Sequence, residues 1–201
     1  MLPRVALDLT IAPNVLVELF PHPVDDVCLE IGFGGGEYMI AQARTHPRVG
    51  FIGVEPFVNG MAKALAAIAA ESLANIRLHH GDATEVLAWL PAASLARVEL
   101  LFSDPWPKRR HWKRRFVQDW SIASMARVLR LRGEFRFATD VADYVAWTLR
   151  HMLRSPDFAW TAERAADWRH AWPGFAGTRY EAKARRDGRS PCYLVFRRTE
   201  N

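Results

Sequence analysis

Apolar residues in this chain come in short runs that stop at a glycine or an acid. Between those runs they recur every three to four positions. A run of four to six apolar residues closed by turn formers reads as a buried strand, and recurrence near 3.6 reads as an amphipathic helix. On that basis residues 27–31 predict a strand that runs into glycines, followed by a helix over 37–43. Residues 50–54 and 76–79 predict the second and third strands, separated by an Ala- and Leu-rich helix over 58–72. A helix over about 84–90 comes next. Residues 97–102 predict a fourth strand, 116–131 a long amphipathic helix, and 133–138 a fifth strand in which Phe135 and Phe137 alternate with Glu134 and Arg136. Asp140 is then a natural N-cap for a helix reaching about residue 153. Residues 158–161 and 192–196 predict two further strands around a loop-rich insert, 162–190. Trp168 and Trp172, one helical turn apart, predict the lining of a local core.

Strands alternating with helices imply parallel βαβ units, and right-handed crossovers place helices on both faces of an open sheet. The expectation is an α/β protein, a single Rossmann-like domain over residues 1–201. It has a mostly parallel sheet of about seven strands and an N-terminal segment over 1–25. The 12 prolines and 12 glycines are scattered, so no linker divides it.

Composition changes the picture only in part. Half of the 201 residues are apolar and 24% are charged, which excludes a disordered or fibrous chain. Cys28 and Cys192 are isolated and His79, His80, His111, His151 and His170 are scattered, so no metal is expected. No apolar run approaches the roughly 20 residues of a membrane span, and no secretory pattern opens the chain. A cytoplasmic protein is expected. Charge is more informative: 27 Lys and Arg against 22 acids leave a net +5, which suits a phosphate-bearing partner.

In open α/β sheets ligands sit at the carboxyl ends of the strands. An acid stands at each of the first five: Glu30, Glu55, Asp82, Asp104 and Asp140. An acid at a strand end often only caps the next helix, yet five in succession favour a shared site. The first turn carries Gly32, Gly34, Gly35 and Gly36, then Glu37 where a dinucleotide fingerprint has Gly or Ala. A carboxylate there opposes a pyrophosphate. It suits a cofactor with a cationic end, such as S-adenosylmethionine, whose ribose hydroxyls Glu55 can accept from and whose adenine amine Asp82 can accept from. In this the chain resembles a class I S-adenosylmethionine-dependent methyltransferase.

After the fourth strand comes Asp104-Pro105-Trp106-Pro107-Lys108. Six of the eight residues 108–115 are Lys or Arg. The prolines keep the chain extended and hold Asp104 at the strand end. So dense a basic run calls for anions, and a phosphate backbone supplies them.

The Asp104–Lys108 run with its basic tail, together with Gly53-Val54-Glu55-Pro56-Phe57, Ala138-Thr139-Asp140 and the stretch 178–184, resembles bacterial tRNA (guanine-N7)-methyltransferases over nearly the whole chain. The resemblance implies S-adenosylmethionine contacts from Glu30, Gly32, Gly34, Glu55, Asp82 and Asp104, with Asp104 in the catalytic role. It implies guanosine contacts from Lys108, Asp140, Thr178, Arg179, Tyr180 and Glu181. RNA contacts are implied for Arg110, His111, Trp112, Lys113, Arg114 and Arg115. The implied product is 7-methylguanosine at position 46 of the tRNA variable loop. No partner protein is implied. Ser103 stands where the family usually has proline and Glu134 where a second glycine is common, and the segment before Leu29 is short for the family. The alternative is a methyltransferase-fold module that binds RNA without turnover.

Overall fold

β1 (Asp26–Ile31) is an interior strand of a seven-stranded sheet. The computed structural model describes residues 2–11 and 15–200; residues 1 and 12–14 of the N-terminal segment, and residue 201, lie outside the described residues. The other strands are β2 (Val49–Val54), β3 (Ile76–His79), β4 (Leu95–Leu101), β5 (Leu129–Thr139), β6 (Phe158–Trp160) and β7 (Cys192–Arg198). Their order is β3-β2-β1-β4-β5-β7-β6. β1 to β5 are parallel, and β7 runs antiparallel between β5 and β6.

The helices are α1 (Leu2–Val5), α2 (Glu37–Thr45), α3 (Val58–Glu71), α4 (Ala83–Trp89), α5 (Asp119–Val128), α6 (Ala142–Met152), α7 (Ala166–Arg169) and α8 (Arg179–Arg186). Successive strand residues point to opposite faces, and β1 shows the result. Val27, Leu29 and Ile31 join the core beneath α4, α5 and α6, with Val86, Met125 and Tyr144. Cys28 joins the core beneath α2 and α3, with Met39, Met61 and Ile68. Glu30 shares the Cys28 side. A third cluster of Tyr38, Leu101, Ala138, Trp172 and Tyr193 covers β4, β5 and β7 on that same side.

The sheet and its helices match the expected fold class, with differences at particular ends. The helix predicted over 116–131 spans only Asp119–Val128. A capping box between Gln118 and Ser121 fixes its start, and β5 begins directly at Leu129. Asp140 does not cap α6. The N-cap position is Val141, and the Asp140 carboxylate accepts from Arg189 Nε at 2.6 Å. Trp168 and Trp172 do not share a helix, because α7 ends at Arg169 and His170 is extended. Trp168 packs against the core under α4 to α6, and Trp172 is buried in the third cluster. The insert over 162–190 carries α7 and α8.

Glu134 has a physical reason to be there. It lies opposite Arg97 and Arg197 in register and pairs with Arg136 at 2.8 Å and Arg197 at 3.3 Å.

Candidate active site

The carboxyl ends of β1 to β4 open into a cleft of about 510 Å³. Its floor is the glycine turn. Gly32, Gly34 and Gly36 adopt φ of +69°, +59° and +79°, a left-handed backbone that side chains disfavour. A Cβ at Gly32 would meet nothing within 4 Å, so the turn offers bare backbone to the cleft.

Glu55, at the end of β2, is 3% exposed. Its Oε2 accepts from the Gly34 amide at 2.7 Å and its Oε1 from the Phe57 amide at 2.9 Å. One carboxylate thus ties the glycine turn to the loop that starts α3. An ionised carboxylate has about four acceptor sites, so capacity remains for a ligand. Gly60 of α3 presses on the same turn: a Cβ there would stand 2.2 Å from the Gly34 carbonyl oxygen. Asp82 lines the cleft and also caps α4, accepting from the Thr84 amide and hydroxyl at 2.7 Å each. The capping and ligand readings are therefore compatible. Asp104 and Trp106 line the wall opposite.

Glu30 stands apart from these acids. It is 5% exposed and is not among the residues lining the cleft; it lies behind the turn, opposite Glu99 in register. Glu99 accepts from Tyr38 at 2.7 Å and pairs with Arg97 at 3.0 Å. Burial pushes the Glu30 carboxyl well above the usual carboxylate range, and the charge of Glu99 adds to it. Its Oε2 is buried without a hydrogen bond among the described residues.

The roof comes from the insert. Arg179 and Tyr180 of α8 lie over Gly34, where a Cβ would stand 3.3 Å from both. Arg179 also reaches Glu37 of α2 at 3.7 Å. Thr178 caps α8, accepting from the Glu181 amide at 3.0 Å. Glu181 is buried; its Oε1 accepts from the Tyr193 hydroxyl at 2.5 Å and from Arg185 Nε at 3.0 Å. Neither Asp140, Thr178 nor Glu181 lines the cleft, while Arg179 and Tyr180 do.

The basic tail forms a 3-10 helix, Arg109–Arg114, at the cleft mouth. Lys108, Arg109, Arg110, Lys113 and Arg114 are exposed. Arg114 sits 4.7 Å over Trp106, and His111 meets the same ring edge-on at 5.8 Å. Two residues expected at the RNA surface turn inward. Trp112 packs on Trp147 at 5.4 Å. Arg115 is 1% exposed and ion-paired with Asp143, so its guanidinium is withdrawn from the surface. The alternation of charge and aromatic residues gave no sign of which arginine would be buried. A lone glycine in the alanine-rich stretch of α3 was a signal for the close approach at Gly60.

Among the described residues, no group of His, Cys, Asp or Glu is placed to hold a metal ion, and no helix is long and apolar enough to cross a membrane. Adenosine with a cationic tail fits the cleft better: bare backbone at Gly32, spare acceptors on Glu55 and Asp82, and Asp104 facing them.

The strand order, the reversed β7 and the glycine turn under a C-terminal cleft define a class I methyltransferase. Two solved structures share the fold. One is the 16S rRNA methyltransferase KamB (TM-score 0.61, 17% identity, 88% of this chain and 89% of that one). The other is TrmN from Thermus thermophilus (TM-score 0.56, 18% identity, 91% and 47%). Residues 25–193 match the family described as "Putative methyltransferase". Curated relatives are closer. The tRNA (guanine-N(7)-)-methyltransferase of Rhodopseudomonas palustris strain BisB18 is 62% identical over 98% of this chain and 79% of its own length. That of Bradyrhizobium diazoefficiens is 60% identical over 99% and 85%. The chain belongs to the tRNA (guanine-N7)-methyltransferase family.

Proposed function

We propose that this chain transfers the methyl group of S-adenosylmethionine to N7 of a guanine in tRNA, at position 46 of the variable loop as its family resemblance implies. The observation that carries this reading is the convergence of Glu55, Asp82 and Asp104 in one cleft, roofed by Arg179 and Tyr180 and edged by an exposed basic helix.

Bound S-adenosylmethionine supplies an electrophilic methyl group on a sulfonium. The chain's own residues do the rest. Glu55 and Asp82 accept from the adenosine, and each is already fixed by backbone amides, so they are preorganised. Guanine N7 carries a lone pair and no proton, so no general base is required. The need is alignment of the nucleophile about 3 Å from the methyl carbon. Methylation leaves positive charge on the purine, and the Asp104 carboxylate, free of any hydrogen bond or ion pair among the described residues, lies in the cleft to offset it. Guanine presents N1–H and N2–H donors. Glu181 and Asp140 stand outside the cleft lining, but Glu181 Oε2 and Asp140 Oδ1 carry no hydrogen bond among the described residues and can accept from these donors. Displacing a stacked or paired guanine costs a few kcal/mol. The exposed Lys108, Arg110, Lys113 and Arg114 hold the phosphates, and a cytoplasmic tRNA is the partner this implies.

The test is purified protein with labelled S-adenosylmethionine and unmodified tRNA, followed by nucleoside analysis. Label in 7-methylguanosine supports the reading; label in another nucleoside, or tRNA retained without label, refutes it. Glu181→Gln checks base recognition, with reduced turnover or altered base choice expected; wild-type values on both counts remove that role.

A further inference from the structure

The basic run 108–115 is a single block in sequence, but the fold divides it. Five of its six Lys and Arg side chains face solvent, and Arg115 alone is withdrawn. Its guanidinium lies 5.0 to 5.2 Å from the ring centroids of Trp112, Tyr144 and Trp147. One of its terminal nitrogens pairs with Asp143, in the first turn of α6. Its Nε donates to the Pro105 carbonyl at 2.8 Å.

That last bond is the one that matters for the site. Pro105 lies between Asp104 and Trp106, both in the wall of the cleft. The loop is held in a costly conformation: Phe102 and Trp106, neither of them glycine, have φ of +52° and +41°. Pro105 and Pro107 have no N–H to donate. Among the described residues, the bond from Arg115 is the only hydrogen bond to the backbone of residues 103–106. A planar guanidinium can donate to a carbonyl and a carboxylate at once while its faces stack on aromatic rings; an ammonium cannot.

We infer that Arg115 is a positioning residue of the methyl transfer: it ties the Asp104–Trp106 loop to α6 through Asp143 and so sets Asp104 against the donor and Trp106 at the mouth, while its neighbours hold RNA. The inference deepens the guanine-N7 reading and rests on it for the identity of the acceptor, but not for the placement of the loop.

The experiment compares Arg115→Lys, Asp143→Asn and Arg114→Ala with wild type. Three quantities are read for each: kcat and KM for tRNA, the slope of tRNA affinity against salt, and calorimetric affinity for S-adenosylhomocysteine. Arg115→Lys is expected to lower kcat about tenfold or more, because a displacement near 1 Å at a reacting centre has effects of that order. It should also weaken the donor analogue, with KM for tRNA and the salt slope unchanged. Asp143→Asn, at a side chain 58% exposed and so tolerant of change, should shift kcat the same way by a smaller factor. Arg114→Ala should do the reverse, raising KM and reducing the salt slope by about 1. If Arg115→Lys folds poorly, Asp143→Asn decides alone. Wild-type kcat with a reduced salt slope in either variant overturns the inference and returns Arg115 to the RNA-binding set. If wild type makes no 7-methylguanosine, the guanine-N7 reading fails, and the donor-analogue titrations still test the loop.

Discussion

Gly60→Ala isolates the contact between α3 and the glycine turn. Taken as a helix substitution alone, alanine would stabilise α3 by about 1 kcal/mol. The structure sets a larger opposing effect. The new Cβ would stand 2.2 Å from the Gly34 carbonyl oxygen and 3.0 Å from Glu55 Cγ. One neighbour is backbone and the other belongs to a 3%-exposed carboxylate, so neither is a flexible chain end that can swing aside. Relief requires the turn and α3 to part by roughly 1 Å, and overpacking of that kind costs about 1–3 kcal/mol. The net expectation is a loss of up to about 2 kcal/mol, a fall in Tm of up to roughly 8 °C for a chain of this size. The same shift strains the 2.7 Å bond from the Gly34 amide to Glu55 and moves the bare backbone that faces the donor. Affinity for S-adenosylhomocysteine should fall about 10- to 100-fold, more than the stability change alone explains. Calorimetric titration and a thermal melt on the same preparation measure both. A raised Tm with unchanged affinity would show that helix propensity outweighs the contact and would refute the reasoning.

Other expectations follow from neighbouring groups. Glu55→Gln removes one of two acceptors facing backbone amides, leaving an N–H unsatisfied at about 1–3 kcal/mol, so both Tm and donor affinity should drop; a variant with wild-type donor affinity contradicts the assigned role. Glu30 has its pKa raised by burial, so the stability it contributes is fully present below its ordinary value of 4.5 and is lost as pH climbs through the elevated one. The Tm advantage of Glu30→Gln over wild type should therefore widen as pH rises above about 5; an advantage largest at the acid end has the wrong sign. Wild-type tRNA affinity should fall steeply with added salt, and a flat dependence counts against phosphate contacts by the exposed helix at 109–114.

The order of strands and helices, the glycine turn and the acids closing successive strands were legible in the sequence, because each rests on local causes. Apolar runs make buried strands, glycines permit positive φ, and acids at strand ends face the same edge of a parallel sheet. Tertiary packing decided which of the matching residues reach the cleft. Glu30 and Glu55 both come at strand ends, yet Glu30 lies opposite Glu99 in register and away from the cleft lining, while Glu55 closes on Gly34. Asp140 looked like a cap and instead meets Arg189, 49 residues away, because β7 and the end of α8 return beside β5. Arg114 and Arg115 are adjacent and identical in type, and one lies over Trp106 at the surface while the other is enclosed by three aromatic rings. Local chemistry fixes what a residue can do; long-range packing fixes which partner it meets, and burial and pairing follow from the partner.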